Sequence, residues 1–432
     1  MIKTAEGIRQ IIIIEIVLIV LNTINLNITK NNNITGPNEN MDLIYILMYS
    51  IGYIIWMFLI SNETKKESKI VRIETIIKEL IVLINFVTGF ILILTNDLFE
   101  FFIFLELFSI TIYFLFYFNS IGTNLIYSSS LGIYYFIISS LSSLMILFNI
   151  SSIYSLYGIL NISELSLFDI NINIMILGIL VKIGVAPFQF WVVSLYEKLD
   201  KIIIVYLSII PKFIYIYLLI KLNVSSSWLI FYFSSILSLI IGSIYGLKEQ
   251  NVYKILANSS IFNMGFLLLA FLYKNMHKNI LEFLMLYSIN TFNIIFIFIL
   301  FHFSFLKDLF LQPTTYLLFF ISVLSLIGIP PLGGFFAKIK ILEIVTINIK
   351  DSPELNTFLI SIIIITILIS TSFYLKFISY SLTSFKNYNL FYSFDSGYFN
   401  NTFLSLIISF SSLFIIFYSF FYPVFFYLFN LV

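Results

Sequence analysis

The sequence predicts an all-α, polytopic membrane helical bundle, and three observations lead to that fold class. First, 60% of the 432 residues are hydrophobic and only 10% are charged, whereas roughly 25% of residues are charged in a soluble domain. Second, the mean hydropathy is +1.04. Third, the apolar runs are long and continuous rather than alternating, which favours membrane-spanning helices over a β-barrel.

The composition also excludes several kinds of protein. The formal net charge of +1 provides no electrostatic footprint for nucleic acid. The absence of cysteine excludes disulfides, thiolate zinc sites and iron–sulfur ligation within the chain. The two histidines, His277 in a loop and His302 near the end of a span, are not placed to supply the paired axial ligands of a membrane b-haem protein, and no P-loop, dinucleotide fingerprint or zinc motif is present. We therefore expect no metal or cofactor in this chain, and lipids rather than nucleic acid around it.

Apolar runs of about 20 residues, the length that crosses a bilayer, mark the individual spans. The sequence predicts 13 spans, near residues 8–28, 41–60, 74–95, 97–118, 131–157, 174–198, 202–222, 227–247, 254–273, 279–305, 314–347, 358–380 and 403–430. The first is expected to remain in the protein, since no small-residue cleavage site follows it. The basic cluster in 61–72 indicates the negative side of the membrane, or simply a solvated loop.

Two of these spans contain glycine and proline together, and the positions of these two spans predict an internal repeat. Proline removes a helix hydrogen-bond donor and clashes with the preceding turn, so both spans should be broken helices. The breakers are Pro187 in 174–198, and Gly328, Pro330, Pro331, Gly333 and Gly334 in 314–347. Counted from residue 74 and again from residue 227, the broken span is the fourth of five. Because five is an odd number, the second set of helices should enter the membrane from the opposite side, which is an inverted repeat of the kind found in many transporters. The alternative is that the prolines occur at matched positions by chance.

The repeat divides the chain into four regions. Residues 1–73 form N-terminal helices and a loop, 74–222 the first five-helix repeat, 227–380 the second, and 381–432 a C-terminal loop and helix.

Four ionisable residues at mid-span are the candidate site: Glu106, Lys182, Lys212 and Lys338. A charge at the centre of a membrane helix costs at least ~2.5–3.5 kcal/mol on insertion scales, so it indicates function. A buried lysine can exchange a proton, and a carboxylate near it changes its proton affinity. These residues predict a proton relay without metal or cofactor. The alternative is that each charge is a buried salt bridge that sets helix register.

Other polar residues have weaker interpretations. His302 could join the relay, or it could simply be hydrogen-bonded within the bundle. Lys340 and Lys376 lie closer to span ends and could extend toward the membrane surface, so they are interpreted as structural residues.

Five segments, in order along the chain, carry a resemblance to a known family. They are TNDLFEFFIFLELFSITIYFL, LVKIGVAPFQFWVVSLYE, LSIIPKFIYIYLL, QNVYKILANSSIFNMGFLLLA and LSLIGIPPLGGFFAKIKIL, which span residues 95–342. Together they resemble the chain 2 (subunit N) family of respiratory complex I, one of the antiporter-like proton-translocating membrane subunits. The sister chains 4 and 5 share that fold, but the L-E-L context of Glu106 favours chain 2.

The resemblance implies a fourteen-helix fold, so the expected count is 13–14, with two five-helix inverted repeats. It places the family's essential glutamate on Glu106 and its relay lysines on Lys182, Lys212 and Lys338. It implies a proton-translocating subunit of NADH:ubiquinone oxidoreductase. NADH, FMN, iron–sulfur clusters and quinone would be bound by partner subunits. The partners implied are the other membrane-arm and accessory subunits.

Three residues depart from the family pattern. Asn263 occupies the position of a motif histidine, Gln189 replaces a histidine after Pro187-Phe188, and Ser194 replaces an acid. Because asparagine does not titrate near neutral pH, a proton path at Asn263 would need water or another group. These departures affect peripheral proton entry rather than the four relay residues.

The sequence leaves alternatives for both the cellular location and the function of the protein. The excess of Ile, Phe, Asn, Tyr and Lys, whose codons are rich in A and T, fits an organellar genome or an AT-rich bacterium. We expect the mitochondrial inner membrane, with a bacterial plasma membrane as the alternative. A subunit of a cation/proton antiporter and a structural membrane scaffold are the alternative functions.

Overall fold

The protein is almost entirely helical wherever the computed structural model describes it. It describes residues 45–47, 49–53, 69–117, 125–165, 171–222, 227–273, 277–301, 306, 313–347, 353–387 and 409–418. The named helices are α1 (Lys69–Leu94), α2 (Leu98–Tyr117), α3 (Leu125–Tyr157), α4 (Ile162–Leu165), α5 (Asn173–Ile183), α6 (Phe190–Lys198), α7 (Lys201–Lys221), α8 (Trp228–Lys248), α9 (Val252–Ala270), α10 (His277–Phe301), α11 (Pro313–Ile327), α12 (Gly333–Ile347) and α13 (Pro353–Asn387). Residues 45–47, 49–53 and 409–418 are also helical.

Eight of the described helices are long and apolar enough to cross a membrane: α1, α2, α3, α7, α8, α9, α10 and α13. This confirms the predicted polytopic helical fold class. The ends of α2, α7 and α8 lie within one residue of the predicted spans, whereas α3 and α13 are several residues longer. α13 begins at Pro353, whose fixed φ suits a first helical turn outside the apolar window. The predicted span 8–28, and parts of 41–60 and 403–430, lie outside the described residues.

Both predicted broken helices are confirmed. α5 and α6 are separated at Gly184, which has φ +77°, and α11 and α12 are separated at Gly328, which has φ +89°. Glycine adopts positive φ readily because it has no Cβ. In each break the proline three residues after the glycine follows a cis peptide bond, at Pro187 and at Pro331. The chain therefore turns in the same way at both interruptions.

Backbone contacts between loops also repeat. The amide of Leu98, at the turn between α1 and α2, donates to the carbonyl of Leu160, which follows α3, at 2.8 Å. In the second set, the amide of Leu306, which follows α10, donates to the carbonyl of Gln250 between α8 and α9 at 3.2 Å. In both sets the loop after the first helix is thus tied to the loop after the third.

A lysine on the fifth helix of each set binds the end of the first helix. Lys221 Nζ donates to the carbonyl of Ile93 at 2.8 Å, and Lys376 Nζ donates to the carbonyl of Leu247. The two residues of the first pair are 128 positions apart in sequence, and those of the second pair are 129 positions apart. The last carbonyls of a helix have no intrahelical partner and carry partial negative charge, so a lysine is a favourable cap. These matched contacts support the five-helix repeat.

The chain folds as two compact units. One contains Met1–Ile183 and Ile209–Ser226, and the other contains Gly184–Ser208 and Ser227–Leu431. The four regions predicted from the sequence are defined by the order of the repeats and do not coincide with these two units. The boundaries of the four regions stay a prediction.

Candidate functional site

Lys338 is buried at the break of the second broken helix, in the first turns of α12. Its side chain crosses the break, and its Nζ donates to the carbonyls of Leu326 and, at 3.1 Å, Ile327. These are the last carbonyls of α11, which lack intrahelical partners and carry partial negative charge. The ammonium group therefore replaces the backbone donors that the break removes.

Aromatic rings and a glycine complete the surroundings of this ammonium group. Lys338 Nζ lies 5.8 Å from the ring centroid of Phe262 and 5.7 Å from that of Phe266. Rings at this distance attract a cation through their quadrupole, and more strongly when water is excluded. A Cβ at Gly328 would lie 3.2 Å from Lys338 Cδ, which is a tight contact. Glycine at 328 therefore allows both the turn and the approach of the lysine.

A small cavity adjoins Lys338, and several polar side chains contribute to its lining. It has a volume of about 10 Å³, and its lining includes Asn263, Tyr287, Asn290, Ser325 and Lys338. Asn290 Nδ2 donates to Ser325 Oγ at 2.8 Å. Its Oδ1 is buried and has no hydrogen-bond partner among the described residues. A cavity of about this size holds roughly one water molecule. The cavity can therefore hold one water beside Asn290 and Lys338, which both line it.

Lys182 is held differently, in the last turn of α5 just before the first break. Its side chain is buried, and within the described part of the chain its Nζ has no hydrogen-bond partner. Its ammonium group interacts electrostatically with the carboxylate of Glu106 on α2. Ser109 Oγ donates to Glu106 Oε2 at 3.3 Å and to its carbonyl oxygen at 2.9 Å. The free energy of the Lys182 ammonium therefore depends on the charge of Glu106.

Lys212 is buried in the middle of α7, directly after Pro211. Proline has no amide hydrogen, so the helix lacks one backbone hydrogen bond next to this lysine. Glu106, Lys182 and Lys212 all belong to the first compact unit, whereas Lys338 belongs to the second. The fifth candidate, His302, lies outside the described residues.

The departures from the family pattern occupy hydrogen-bonded or buried positions. Asn263 is buried in α9, and its Nδ2 donates to the carbonyl of Ser259 at 2.8 Å and to Tyr374 OH at 3.2 Å. Gln189 is buried just before α6. Ser194 Oγ donates to the carbonyl of Trp191 in its own helix at 3.0 Å. Asn263 thus contributes hydrogen bonds, but no titratable group, to the surroundings of Lys338.

One ion pair was not predicted from the sequence. Lys340, interpreted as a structural residue that could reach the membrane surface, forms an ion pair with Glu282 in which the two side chains are only 14% and 10% exposed. Tyr418 OH donates to the other oxygen of Glu282. Glu282 is near the start of α10, and nothing in the sequence indicates which cation it faces. Lys376 also makes a structural contact, since its Nζ donates to the backbone carbonyl of Leu247.

Comparison with known proteins agrees with this architecture. A profile of the family described as "NADH:quinone oxidoreductase/Mrp antiporter, TM" matches residues 95–349, more than half of the chain. NADH-ubiquinone oxidoreductase chain 2 of Rhizopus oryzae is 30% identical over 323 residues, which cover 66% of this chain and 60% of that protein. NADH-quinone oxidoreductase subunit N of a Wolbachia species is 29% identical over 278 residues, covering 58% of this chain and 59% of the relative.

The fold is also found among solved structures. A chain of respiratory complex I from Thermus thermophilus superposes with a TM-score of 0.76 at 18% identity, covering 97% of this chain and 92% of that chain. At this identity the likeness concerns the fold. The class defined by the fold and the buried lysines is a multi-pass membrane protein of the antiporter-like type. The chain belongs to the NADH:quinone oxidoreductase/Mrp antiporter membrane family, and its matches span about 60% of the length of the two relatives.

Proposed function

We propose that this chain is a proton-translocating membrane-arm subunit of respiratory complex I, equivalent to chain 2 or subunit N. The observation that carries the proposal is a buried lysine at each of the two helix breaks, Lys182 and Lys338. Ionisable residues at membrane depth mark ion pathways, and broken helices at matched positions mark the sites of transporters. The named relatives are subunits of NADH:quinone oxidoreductases.

The proposed relay uses Glu106, Lys182, Lys212 and Lys338. The Glu106 carboxylate stabilises the ammonium of Lys182, which has no hydrogen bond among the described residues. A field change that weakens this interaction favours the neutral amine, because an unpaired ammonium is costly in a dry site. Lys182 then gives up its proton, and Lys212, which is a neutral amine at that point, accepts it. In the second compact unit, Lys338 is the residue that carries a proton. NADH oxidation and quinone reduction take place on partner subunits.

The proposal places the chain in a membrane assembly. Its partners are the other membrane-arm and accessory subunits, together with lipids. The location is the inner mitochondrial membrane, with the bacterial plasma membrane as the alternative. The exposed apolar side chains of α3, including Ile133, Ile137 and Leu144, fit a lipid or subunit environment rather than water.

The test is Lys182→Ala in the assembled complex. The variant should assemble, as judged on native gels, but its ratio of protons pumped to electrons transferred in proteoliposomes should fall strongly. Lys198→Ala is the matched control, because Lys198 is an exposed lysine at the last residue of α6, the helix that follows the same break. A full proton ratio in Lys182→Ala would contradict the relay and favour the scaffold alternative, in which the charges only set register.

The second candidate is a subunit of a cation/proton antiporter, and the joint description of the matching family supports it. The two functions differ in what co-purifies with the chain. Native mass spectrometry should find subunits with NADH and quinone chemistry in the first case. It should find other antiporter subunits, and cation-driven proton exchange without NADH, in the second.

A further inference from the structure

An ionic network joins three helical segments next to Lys338. Lys340 of α12 pairs with Glu282 Oε2 of α10, and Tyr418, in the helix formed by residues 409–418, donates its hydroxyl to Glu282 Oε1. Glu282 and Tyr418 are buried. Both carboxylate oxygens are therefore occupied, and the charge of Lys340 is balanced away from water.

The pattern of α12 explains why such a network would be needed. The helix, GGFFAKIKILEIVTI, carries apolar side chains on all sides, so apolar burial alone selects no particular rotation about its axis. Lys338 and Lys340 are two positions apart, which corresponds to a rotation of about 200° around a helix of 3.6 residues per turn. The two lysines therefore leave the helix on nearly opposite sides.

These opposite contacts together specify one rotation of α12. On one side Lys338 binds the last carbonyls of α11, and on the other Lys340 binds Glu282. Turning the helix enough to break one contact also breaks the other. A buried ion pair contributes little net stability, but it can select one arrangement of helices over others.

Packing at the first turn of α12 holds the helix axis in place. A Cβ at Gly333 would lie 3.3 Å from Cβ and Cγ of Tyr418 and 3.0 Å from Leu286 Cδ2. The helix of residues 409–418 and α10 thus both touch the start of α12. The same two elements supply Glu282, which pairs with Lys340, and Tyr418, which donates to Glu282. Translation is restricted by this packing, and rotation is restricted by the charges.

We propose that Glu282, Lys340 and Tyr418 are positioning residues that fix the rotation of α12 and hold Lys338 against the end of α11. The network acts on the proton carrier through the helix, and none of its three members needs to carry a transferred proton. The consequence for pumping rests on the proposed function of Lys338, whereas the positional claim does not.

A labelling experiment tests the position of α12 directly. The chain has no cysteine, so Ala337→Cys introduces its single thiol at a buried position of α12. In the intact complex in native membranes, maleimide labelling of this chain should rise several-fold when Lys340→Met is added. Adding Glu343→Gln instead, which removes an exposed carboxylate from the same helix, should leave the labelling at the level of Ala337→Cys alone. Equal labelling in all three backgrounds would overturn the proposal.

A second experiment separates positioning from simple stability. The double variant Glu282→Leu with Lys340→Met removes both charges without leaving one unpaired, so assembly should be retained. We expect this double variant to pump protons more slowly and with a displaced pH profile. When Ala337→Cys is added, its maleimide labelling should rise above that of Ala337→Cys alone. Tyr418→Phe, which keeps the ring on Gly333, should change labelling in the same direction by less. A parental pH profile and parental labelling in the double variant would show a purely structural network and overturn the proposal. If Lys338→Met pumps normally, the proposed function fails, but the labelling result still decides the position of α12.

Discussion

The Nζ of Lys338 donates to the carbonyl of Ile327 at 3.1 Å, across the break that separates their two helices. The equivalent lysine of the other broken helix, Lys182, lies before its break and has no hydrogen bond among the described residues. The two sites therefore stabilise an ammonium by different means. Lys338 is held by helix-end carbonyls, whereas Lys182 depends on the charge of Glu106.

Gly328→Ala should impair proton pumping by displacing Lys338. The backbone at Gly328 has φ +89°, and an added Cβ would lie 3.2 Å from Lys338 Cδ. The left-handed conformation alone costs a non-glycine residue roughly 1–2 kcal/mol. The displaced side chain should also lose its carbonyl contacts, so the ratio of protons to electrons should fall in proteoliposomes.

Gly158→Ala separates these two effects. Gly158 also has a positive φ, +67°, but nothing lies within 4 Å of the position of its Cβ. The control should therefore lose stability to a similar degree while its pumping ratio stays at the parental value. Equal pumping in the two alanine variants would mean that contact with Lys338 is not the cause.

Asn263→His should give proton pumping a new dependence on pH. The asparagine cannot titrate near neutral pH, whereas histidine changes its charge between about pH 5 and 8. Residue 263 lines the cavity of Lys338 and donates to Tyr374 OH at 3.2 Å, so a charge there would act on the lysine directly. The measurement is the pumping rate between pH 5 and 8. Asn263→Leu also loses the hydrogen bond to Tyr374 but gains no charge, so an identical pH profile in the two variants would contradict the prediction.

Lys221→Met and Lys376→Met should lower stability while leaving the pumping ratio of the surviving complex unchanged. Each lysine caps the C-terminal end of a helix, through the carbonyls of Ile93 and Leu247 respectively. A hydrogen bond from a charged donor is worth about 1.5–3 kcal/mol. Thermal inactivation of the purified complex should therefore begin at a lower temperature in both variants.

The exposed Lys248, at the end of the helix that Lys376 caps, supplies the control. Lys248→Met should inactivate at the parental temperature. Parental thermal stability in both capping variants would show that the two contacts do not stabilise the helix ends.

Most of the fold could be predicted from the sequence because it depends on local properties. Runs of apolar residues mark the spans, and Pro187 and Gly328 mark the two interruptions. The rarity of charges made Lys182, Lys212 and Lys338 visible as candidates, and the structure buries all three. Helix ends were less well predicted, since α13 continues through polar residues beyond its apolar window.

Pairing between charges could not be predicted in this way. Lys340 was interpreted only as a structural lysine near a span end, and its partner, Glu282, lies 58 residues away in sequence. The departure at Asn263 was visible in the sequence, while its partner Tyr374 lies 111 residues further along the chain. In both cases the contact depends on how one helix is rotated toward another, and an apolar pattern without a distinct face does not record that rotation.

By itself the sequence determined the helical membrane class, the two broken helices and the buried charges, because each follows from the chemistry of consecutive residues. Only the tertiary structure decided that Lys338 caps the helix before its break and that Lys340 faces Glu282. Those contacts join segments that are distant in sequence. In a chain with few charges and apolar residues on every helix face, the packing of helices selects which polar groups meet.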